Sequence, residues 1–249
     1  MSGSLQARLG VQRGAFALDA ELPVLPGTVL AVVGRNGAGK STALGALAGV
    51  TALTSGSIVL DGVVLDDADR RFVPPERRPI GLVQQQPALF PHLSVLDNVA
   101  FGLRAGGVTR SDAREQAHAA LAEQGLDGFA HRRPSQVSGG QAARIALVRT
   151  TIRRPALLLL DEPLASIDAE LRPALRAMIA NVLASFRGSA ILVTHDVADA
   201  EALADEVAVL DAGRVLQRGT LAALRSDPAD PVVSRLLAAG GRLDDEATA

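Results

Sequence analysis

The sequence contains no cysteine, no tryptophan and no tyrosine, and its large aromatic residues are six phenylalanines. Without cysteine the chain has neither a disulfide framework nor a catalytic thiol, which suits a reducing compartment such as the cytosol. The scarcity of aromatic rings argues against stacking platforms for nucleic-acid bases. A net charge of −2 also argues against a nucleic-acid partner.

Long apolar runs are missing as well. No run reaches the roughly 18 apolar residues that a transmembrane helix requires, and the N-terminal segment lacks the apolar core of a signal peptide. We therefore expect a soluble protein that would work at a membrane only through a partner. With 249 residues, 48% of them hydrophobic, the chain can bury the core of one large domain.

Lysine is nearly absent, since Lys40 is the single lysine among 25 basic residues. It lies in a glycine-rich segment that follows the apolar run 29–33 and precedes small apolar residues, the strand-to-helix junction typical of a phosphate-binding loop. We expect Lys40 to contact the β and γ phosphates and Ser41 to bind Mg²⁺. The predicted nucleotide-binding residues of this segment are Gly34, Arg35, Asn36, Gly37, Ala38, Gly39, Lys40, Ser41 and Thr42.

Two later apolar runs end in polar residues. The run 156–160 predicts a strand buried in a parallel sheet, and it is followed by Asp161 and Glu162. Ligands bind at the carboxyl ends of such strands, so we expect Asp161 to hold Mg²⁺ and Glu162 to polarise an attacking water. The run 190–194 is followed by His195, which can donate a hydrogen bond to a γ-phosphate, although a lone histidine is more often structural.

Three further segments each allow two interpretations. Phe16 either stacks on adenine or belongs to the core. The apolar, proline-bounded loop at residues 85–95 is either packed inside or offered to a partner. Residues 138–141 form either a second phosphate-binding helix N-terminus or a plain loop before a helix.

Residues 94–152 show a helical pattern without a strand candidate, which predicts a helical subdomain inserted into an α/β core.

In their order and spacing these motifs resemble the ATP-binding subunit of an ABC transporter. The matching motifs are the Walker A loop at 34–41, the Q-loop glutamine Gln85, the signature motif at 138–141, Walker B at 157–161, the catalytic glutamate Glu162, the D-loop at 165–168 and the switch histidine His195. The resemblance implies an α/β fold of the P-loop NTPase (RecA-like) class, with an antiparallel β subdomain and an inserted helical subdomain.

The same resemblance implies one ATPase domain over residues 1–225. The α/β core with its β subdomain would comprise 1–85 and 153–225, and the helical subdomain 86–152. Residues 226–249 would form a short C-terminal helix and a tail disordered from about Gly240, without a regulatory β-domain.

The resemblance also implies ATP and Mg²⁺ as cofactors, bound in a head-to-tail homodimer. Glu162, His195 and Gln85 would be catalytic, and Ser41, Gln85 and Asp161 would hold the metal. Nucleotide contacts beyond the phosphate loop would come from Phe16, Ser138, Gly139, Gly140, Gln141 and Asp168. The implied partners are transmembrane permease subunits at the cytoplasmic face of the cell membrane and, indirectly, a solute-binding protein.

Residues 65–78 and 89–95 more narrowly resemble importers of oxyanions, with molybdate first and sulfate, ferric iron or polyamine as alternatives. Two interpretations from other classes stay open. One is a soluble ABC-type ATPase of DNA repair or translation, a class that usually carries a coiled-coil insertion or a second ATPase half. The other is a regulatory subunit that binds ATP without hydrolysing it.

Overall fold

The computed structural model describes residues 3–165 and 167–238. Ser166 of the expected D-loop and the tail expected from about Gly240 therefore lie outside the described residues. In chain order the elements are β1 (Leu5–Arg13), β2 (Phe16–Glu21), β3 (Val29–Val33), α1 (Lys40–Ala48), β4 (Ser55–Leu60), β5 (Val63–Asp66), β6 (Ile80–Val83), α2 (Val95–Ala105), α3 (Arg110–Glu123), α4 (Gly139–Thr151), β7 (Leu157–Asp161), α5 (Arg172–Ser185), β8 (Ser189–Thr194), α6 (Val197–Leu203), β9 (Glu206–Asp211), β10 (Arg214–Gly219), α7 (Leu221–Ser226) and α8 (Pro231–Ala238).

The strands form one mixed sheet in the order β5-β4-β1-β2-β10-β9-β3-β8-β7-β6. The five strands from β9 to β6 run parallel, whereas β1, β2, β4 and β5 pair antiparallel. In the parallel part, Val33 pairs with Thr194 and Asp161 pairs with Val193. The carboxyl ends of β3, β7 and β8 therefore meet at one edge of the sheet, where the predicted site residues follow them.

The central strands are apolar on both faces because helices or strands cover both sides of the sheet. Along β7, Leu157 and Leu159 join the cluster that contains α1 and the antiparallel strands, while Leu158 and Leu160 join the cluster that contains α2 to α5. Alternation with a period of two thus places each neighbouring leucine in a different core. This packing explains why the run is continuously hydrophobic.

The segment with the helical pattern contains α2, α3 and α4. Each begins at a hydroxyl residue whose side chain accepts a main-chain N–H from the first turn: Ser94 from Asp97, Thr109 from Asp112, and Ser138 from Gln141. Such caps satisfy N–H groups that have no partner inside the helix. The short helices α6 and α7 have no counterpart among the sequence predictions, because six or seven residues give too few repeats for a periodic pattern.

Within residues 3–165 and 167–238, none of the helices combines the length and the apolar content that crossing a bilayer would require.

Replacing Leu159 by alanine tests the central packing. The Leu159 side chain is fully buried in the middle of β7, so the cavity should lower the free energy of unfolding by about 2–5 kcal/mol. The matched control is Leu25→Ala, whose side chain is 68% exposed and should cost no more than about 0.5 kcal/mol. Urea denaturation of both variants measures the difference, and equal losses would contradict the described core.

Candidate functional site

The phosphate loop is closed by its own lysine. Lys40 is buried, and its Nζ donates hydrogen bonds to the carbonyl oxygens of Gly34 at 2.7 Å and Arg35 at 3.0 Å. Gly37 and Gly39 have φ angles of 80° and 110°, in the left-handed region that favours glycine. These torsions wrap residues 34–39 around the lysine side chain and start α1 at Lys40.

The loop also packs tightly against the end of β9 and the turn that follows it. A Cβ added to Gly34 would lie 2.2 Å from the carbonyl oxygen of Leu210, so the approach requires glycine at this position. The N–H of Gly213 donates to the carbonyl oxygen of Ala38 at 2.9 Å. The neighbouring strand pair therefore supports the loop from outside.

A cleft of about 260 Å³ opens beside the loop. Its lining residues are Phe16, Asn36, Gly37, Gly39, Lys40, Ser41, Thr42 and Glu162. A Cβ on Gly39 would come within 2.8 Å of Phe16 Cζ, which shows how closely the half-buried ring lies against the loop. Phe16 thus lies at the wall of the cleft, and stacking on adenine stays a prediction.

Asp161 and Glu162 follow β7 at the same edge. Burial raises the pKa of the half-buried Asp161 carboxyl, the nearby Glu162 charge raises it further, and the Lys40 ammonium lowers it. Lys40 and Asp161 therefore lie within electrostatic reach of each other. Glu162 has a φ of 46°, uncommon for a residue with a side chain, and its N–H donates to the carbonyl oxygen of Val193 at 2.9 Å. This turn carries the Glu162 side chain to the cleft.

His195 lies beside Glu162. Its Nδ1 atom is 3.1 Å from Glu162 Oε2, and the histidine is almost fully buried. The turn after β8 is fixed by Thr194, whose Oγ1 accepts the Asp196 N–H at 3.0 Å. The structure therefore brings the predicted carboxylate and the predicted histidine into direct contact.

Arg172, for which no sequence pattern provides a signal, ties the two loops of this pair together. Its Nη1 donates to Asp196 Oδ2 at 2.9 Å, while Nε and Nη2 each donate to the Leu164 carbonyl oxygen at 3.2 Å. Arg172 thus bridges the segment after Glu162 and the segment after His195. The partners are separated by 24 and 8 residues, so no local pattern could reveal the contact.

Other predicted site residues lie outside the cleft. Gln85 is exposed after β6 and lines a separate cavity of about 10 Å³ with Pro163. Asp168 is exposed, and its carbonyl oxygen accepts the N–H groups of Leu171 and Arg172.

The signature residues begin α4, also away from the cleft lining. Ser138 Oγ accepts the Gln141 N–H, and Gln141 Oε1 accepts the Ser138 N–H, at 3.3 and 2.9 Å. A Cβ on Gly139 would meet nothing within 4 Å, whereas one on Gly140 would lie 3.3 Å from Leu171 Cδ1. Within one chain, the cleft is thus built from the phosphate loop, Phe16 and Glu162, without these residues.

The oxygen donors at the cleft fit Mg²⁺ bound together with a nucleotide. In the described part of the chain, no group of three or more His, Cys, Asp or Glu side chains is placed to hold a metal ion. Mg²⁺ commonly uses one or two protein oxygens, substrate phosphates and several waters. Ser41 on the first turn of α1 and Asp161 at the end of β7 supply oxygens of that kind.

The comparison with protein families decides the classification. A family model described as ABC transporter matches residues 18–165. The chain belongs to the ABC transporter family. A solved structure described as "Dimeric structure of a post-hydrolysis state of the ATP-binding cassette MJ0796 bound to ADP and Pi" has the same fold, with a TM-score of 0.72 at 24% identity over 87% of this chain and 98% of that chain. The predicted α/β P-loop NTPase fold is thereby confirmed.

Several curated members of the ABC transporter family are similar in sequence. "Fe(3+) ions import ATP-binding protein FbpC" of Rhizobium etli is 40% identical over 223 residues, which are 89% of this chain and 62% of that protein. Its Streptomyces avermitilis counterpart is 41% identical over 90% of this chain and 64% of that protein. "Spermidine/putrescine import ATP-binding protein PotA" of Rubrobacter xylanophilus is 40% identical over 87% and 56%. The chain thus spans about three fifths of the length of these relatives.

The raised pKa of Asp161 predicts that this carboxylate destabilises the nucleotide-free protein. A carboxyl whose folded pKa lies above its unfolded value contributes most to stability at low pH and loses that contribution as pH rises through the folded pKa. Asp161→Asn should therefore raise the thermal unfolding midpoint at pH 7 to 8, and the gain should shrink as pH is lowered toward about 4. Differential scanning fluorimetry across this range measures it, with the exposed Asp168→Asn as control. A gain that is constant with pH would contradict the assignment.

Proposed function

We propose that this chain is an ATP-hydrolysing subunit that powers solute import through a membrane ABC transporter. The observation that carries the proposal is the cleft in which Lys40 and Ser41 line one wall and Glu162 another, with His195 3.1 Å from Glu162. The first pair suits a triphosphate. The second pair suits the activation of a water molecule next to it.

The two walls have distinct tasks in the proposed reaction. The glycine-rich loop, the Lys40 ammonium and the positive end of the α1 dipole hold the phosphates. When bound through Ser41 and Asp161, Mg²⁺ would neutralise phosphate charge. Glu162 accepts a proton from the attacking water, and His195 orients Glu162 and donates a hydrogen bond to the γ-phosphate. Because Gln85 lies outside the cleft, its proposed contact with the metal requires movement of the 85–95 loop.

A second copy of the chain completes the proposed site. The cleft contains no residue of α4, yet Ser138 and Gly139 are exposed at that helix's N-terminus. A bare helix N-terminus favours an anion, so the α4 end of one copy can cover the γ-phosphate bound by another. Gly140, Gln141 and Asp168 would lie at the same head-to-tail interface. The ATP-binding cassette MJ0796, whose solved structure is described as dimeric, supports such an assembly.

The 85–95 loop is the proposed contact with the transmembrane permease subunits. Asn98 exchanges hydrogen bonds with both main-chain groups of Phe90, and Arg149 donates to the Ala88 carbonyl oxygen at 2.7 Å. The Phe90 ring lies 4.6 Å from that of Phe101, which is 44% exposed. The loop is thus anchored to α2 and α4, and the half-buried Phe90 ring lies beside the exposed ring of Phe101. Permeases would place the protein at the cytoplasmic face of the membrane, with a solute-binding protein as an indirect partner.

The proposed solute differs from the one that residues 65–78 and 89–95 suggest first. Molybdate, the first of these suggestions, finds no support among the reported relatives, whose names specify ferric iron and the polyamines spermidine and putrescine. Both are among the alternatives to molybdate that the sequence suggests. We accordingly place ferric iron first and polyamines second as solutes of the proposed importer.

Glu162→Gln should retain ATP binding and lose steady-state hydrolysis by about 10²- to 10⁴-fold, the usual contribution of a positioned base. A phosphate-release assay measures the rate, and size-exclusion chromatography with ATP should show an accumulated closed dimer. The control is Glu170→Gln, because Glu170 is exposed. Undiminished turnover in the Glu162 variant would remove it from the role of base. Phosphate release absent from the unmodified protein would favour a regulatory subunit.

Lys40→Ala tests nucleotide binding by the phosphate loop. Loss of the buried ammonium should weaken nucleotide binding sharply, because its charge faces the phosphates and its two carbonyl contacts hold the loop closed. A titration with a fluorescent ATP analogue measures the change. An unchanged titration would contradict the phosphate-loop assignment.

Phe90→Ala should leave the ATPase rate of the isolated protein unchanged and reduce the fraction that sediments with membranes containing the permease subunits. The expectation follows from the surface position of the Phe90–Phe101 pair, away from the cleft. Val63→Ala, at a half-exposed position on β5, is the control. Equal loss of ATPase and membrane binding would instead mean that Phe90 belongs to the core.

A further inference from the structure

We propose that Arg78 is a positioning residue for the phosphate loop, acting from the opposite end of α1. The inference rests on the proposed nucleotide binding and adds a residue that does not touch the cleft. Arg78 follows a short turn at Pro75–Arg77 and directly precedes the segment that leads into β6. Its side chain is fully buried.

The guanidinium caps the C-terminus of α1. Nη1 donates hydrogen bonds to the carbonyl oxygens of Ala46 at 2.8 Å and Leu47 at 2.7 Å, both in the last turn of the helix. The last carbonyl groups of any helix have no N–H partner within it. Nε donates to the Val73 carbonyl oxygen at 2.7 Å. Arg78 therefore ties the end of α1 to the connection between β5 and β6.

The surroundings of Arg78 are built to hold a buried cation. Asp66, also buried, has its Oδ2 3.9 Å from Nη2, and the Phe72 ring centroid lies 5.4 Å from the guanidinium carbon. Nη2 is buried without a hydrogen-bond partner among the described residues. Because Asp66 supplies the counter-charge, the effect of Arg78 on the far end of α1 comes from fixed geometry rather than from net charge.

Gly49 makes room for this contact. It ends α1 in the left-handed conformation with φ 82°, and an added Cβ would lie 2.6 Å from Arg78 Nε. Glycine is therefore required both by the backbone torsion and by the close approach of the guanidinium. The residue pair forms one structural unit at the end of the helix.

Because α1 is short, its position depends on the contacts at both of its ends. The helix has nine residues, Lys40–Ala48, and spans about 13 Å; a helix this short is marginal without tertiary support. Lys40 fixes its first turn to the loop, and Arg78 fixes its last. Without the cap, only a fraction of molecules would hold α1 and its loop in the binding geometry, and the apparent nucleotide affinity would fall to that fraction of its normal value. Nucleotide that does bind meets an intact site, so turnover at saturation is preserved.

The test compares Arg78→Met with Arg77→Met, the same substitution at the exposed neighbouring arginine. Competition with a fluorescent nucleotide gives the Kd and stoichiometry for Mg-ADP, and phosphate release gives KM and kcat for ATP. We expect Arg78→Met to raise Kd and KM about tenfold, corresponding to a competent fraction of about one tenth, with stoichiometry kept and kcat within about twofold. Arg77→Met should match the unmodified protein.

Arg78→Lys tests whether the fork or the charge matters. Lysine keeps the positive charge, but it is shorter and lacks the planar fork that reaches two helix carbonyls and Val73 together. We expect it to recover little of the lost affinity. Full recovery would overturn the geometric role.

Gly49→Ala provides an independent disturbance of the same contact. Its matched control is Gly125→Ala, because Gly125 has φ 63° and nothing within 4 Å of an added Cβ. Gly49→Ala should raise the Kd and Gly125→Ala should not. The double variant Gly49→Ala/Arg78→Met should lose less affinity than the sum of the two single losses, since both changes disturb one contact.

The outcomes separate this inference from the proposed function. If Arg78→Met lowers the stoichiometry while the remaining sites keep the normal Kd, Arg78 serves only overall stability and the inference is overturned. An unchanged Kd overturns it equally. If the unmodified protein binds no nucleotide, the proposed function itself fails.

Discussion

The site depends on the parallel pairing of β3 with β8 and of β8 with β7. Val33 pairs with Thr194, and Asp161 pairs with Val193. This register makes the three strands end next to one another at the same edge of the sheet. Glu162 and His195 follow their strands directly, and Lys40 and Ser41 follow β3 at the far end of the phosphate loop. Because side chains alternate along a strand, a one-residue slip of β7 would turn Asp161 to the opposite face and move each leucine from one core into the other. Hydrophobic burial on both faces of the sheet therefore fixes the chemistry at its edge.

Local features were predictable from the sequence because each depends on neighbouring residues. The strand before the phosphate loop ends at Val33 as expected, and the apolar run 156–160 forms the buried strand β7. Contacts between distant segments were not predictable. Arg172 with Asp196, Arg78 with the end of α1, and the placement of Gln85 outside the cleft all depend on how elements pack. No periodicity or short motif encodes them.

The prediction of the solute from residues 65–78 and 89–95 was also limited by contacts between distant segments. Residues 65–78 suggested an oxyanion importer, yet in the fold they include Asp66, Val73 and Arg78, which hold the end of α1. Residues 89–95 are likewise anchored to α2 through Asn98. Neither segment lines the cleft. Their sequence thus reflects support of the phosphate loop and anchoring of a surface loop, and a resemblance in these segments carries little information about the transported solute.

The single lysine has a practical consequence. Its side chain is 6% exposed and bonded to the loop that surrounds it. A reagent that acylates primary amines finds no other lysine side chain in this sequence. The rate of acylation at Lys40, measured by mass spectrometry, would therefore report how often this one loop opens. No labelling site would have to be engineered into the protein.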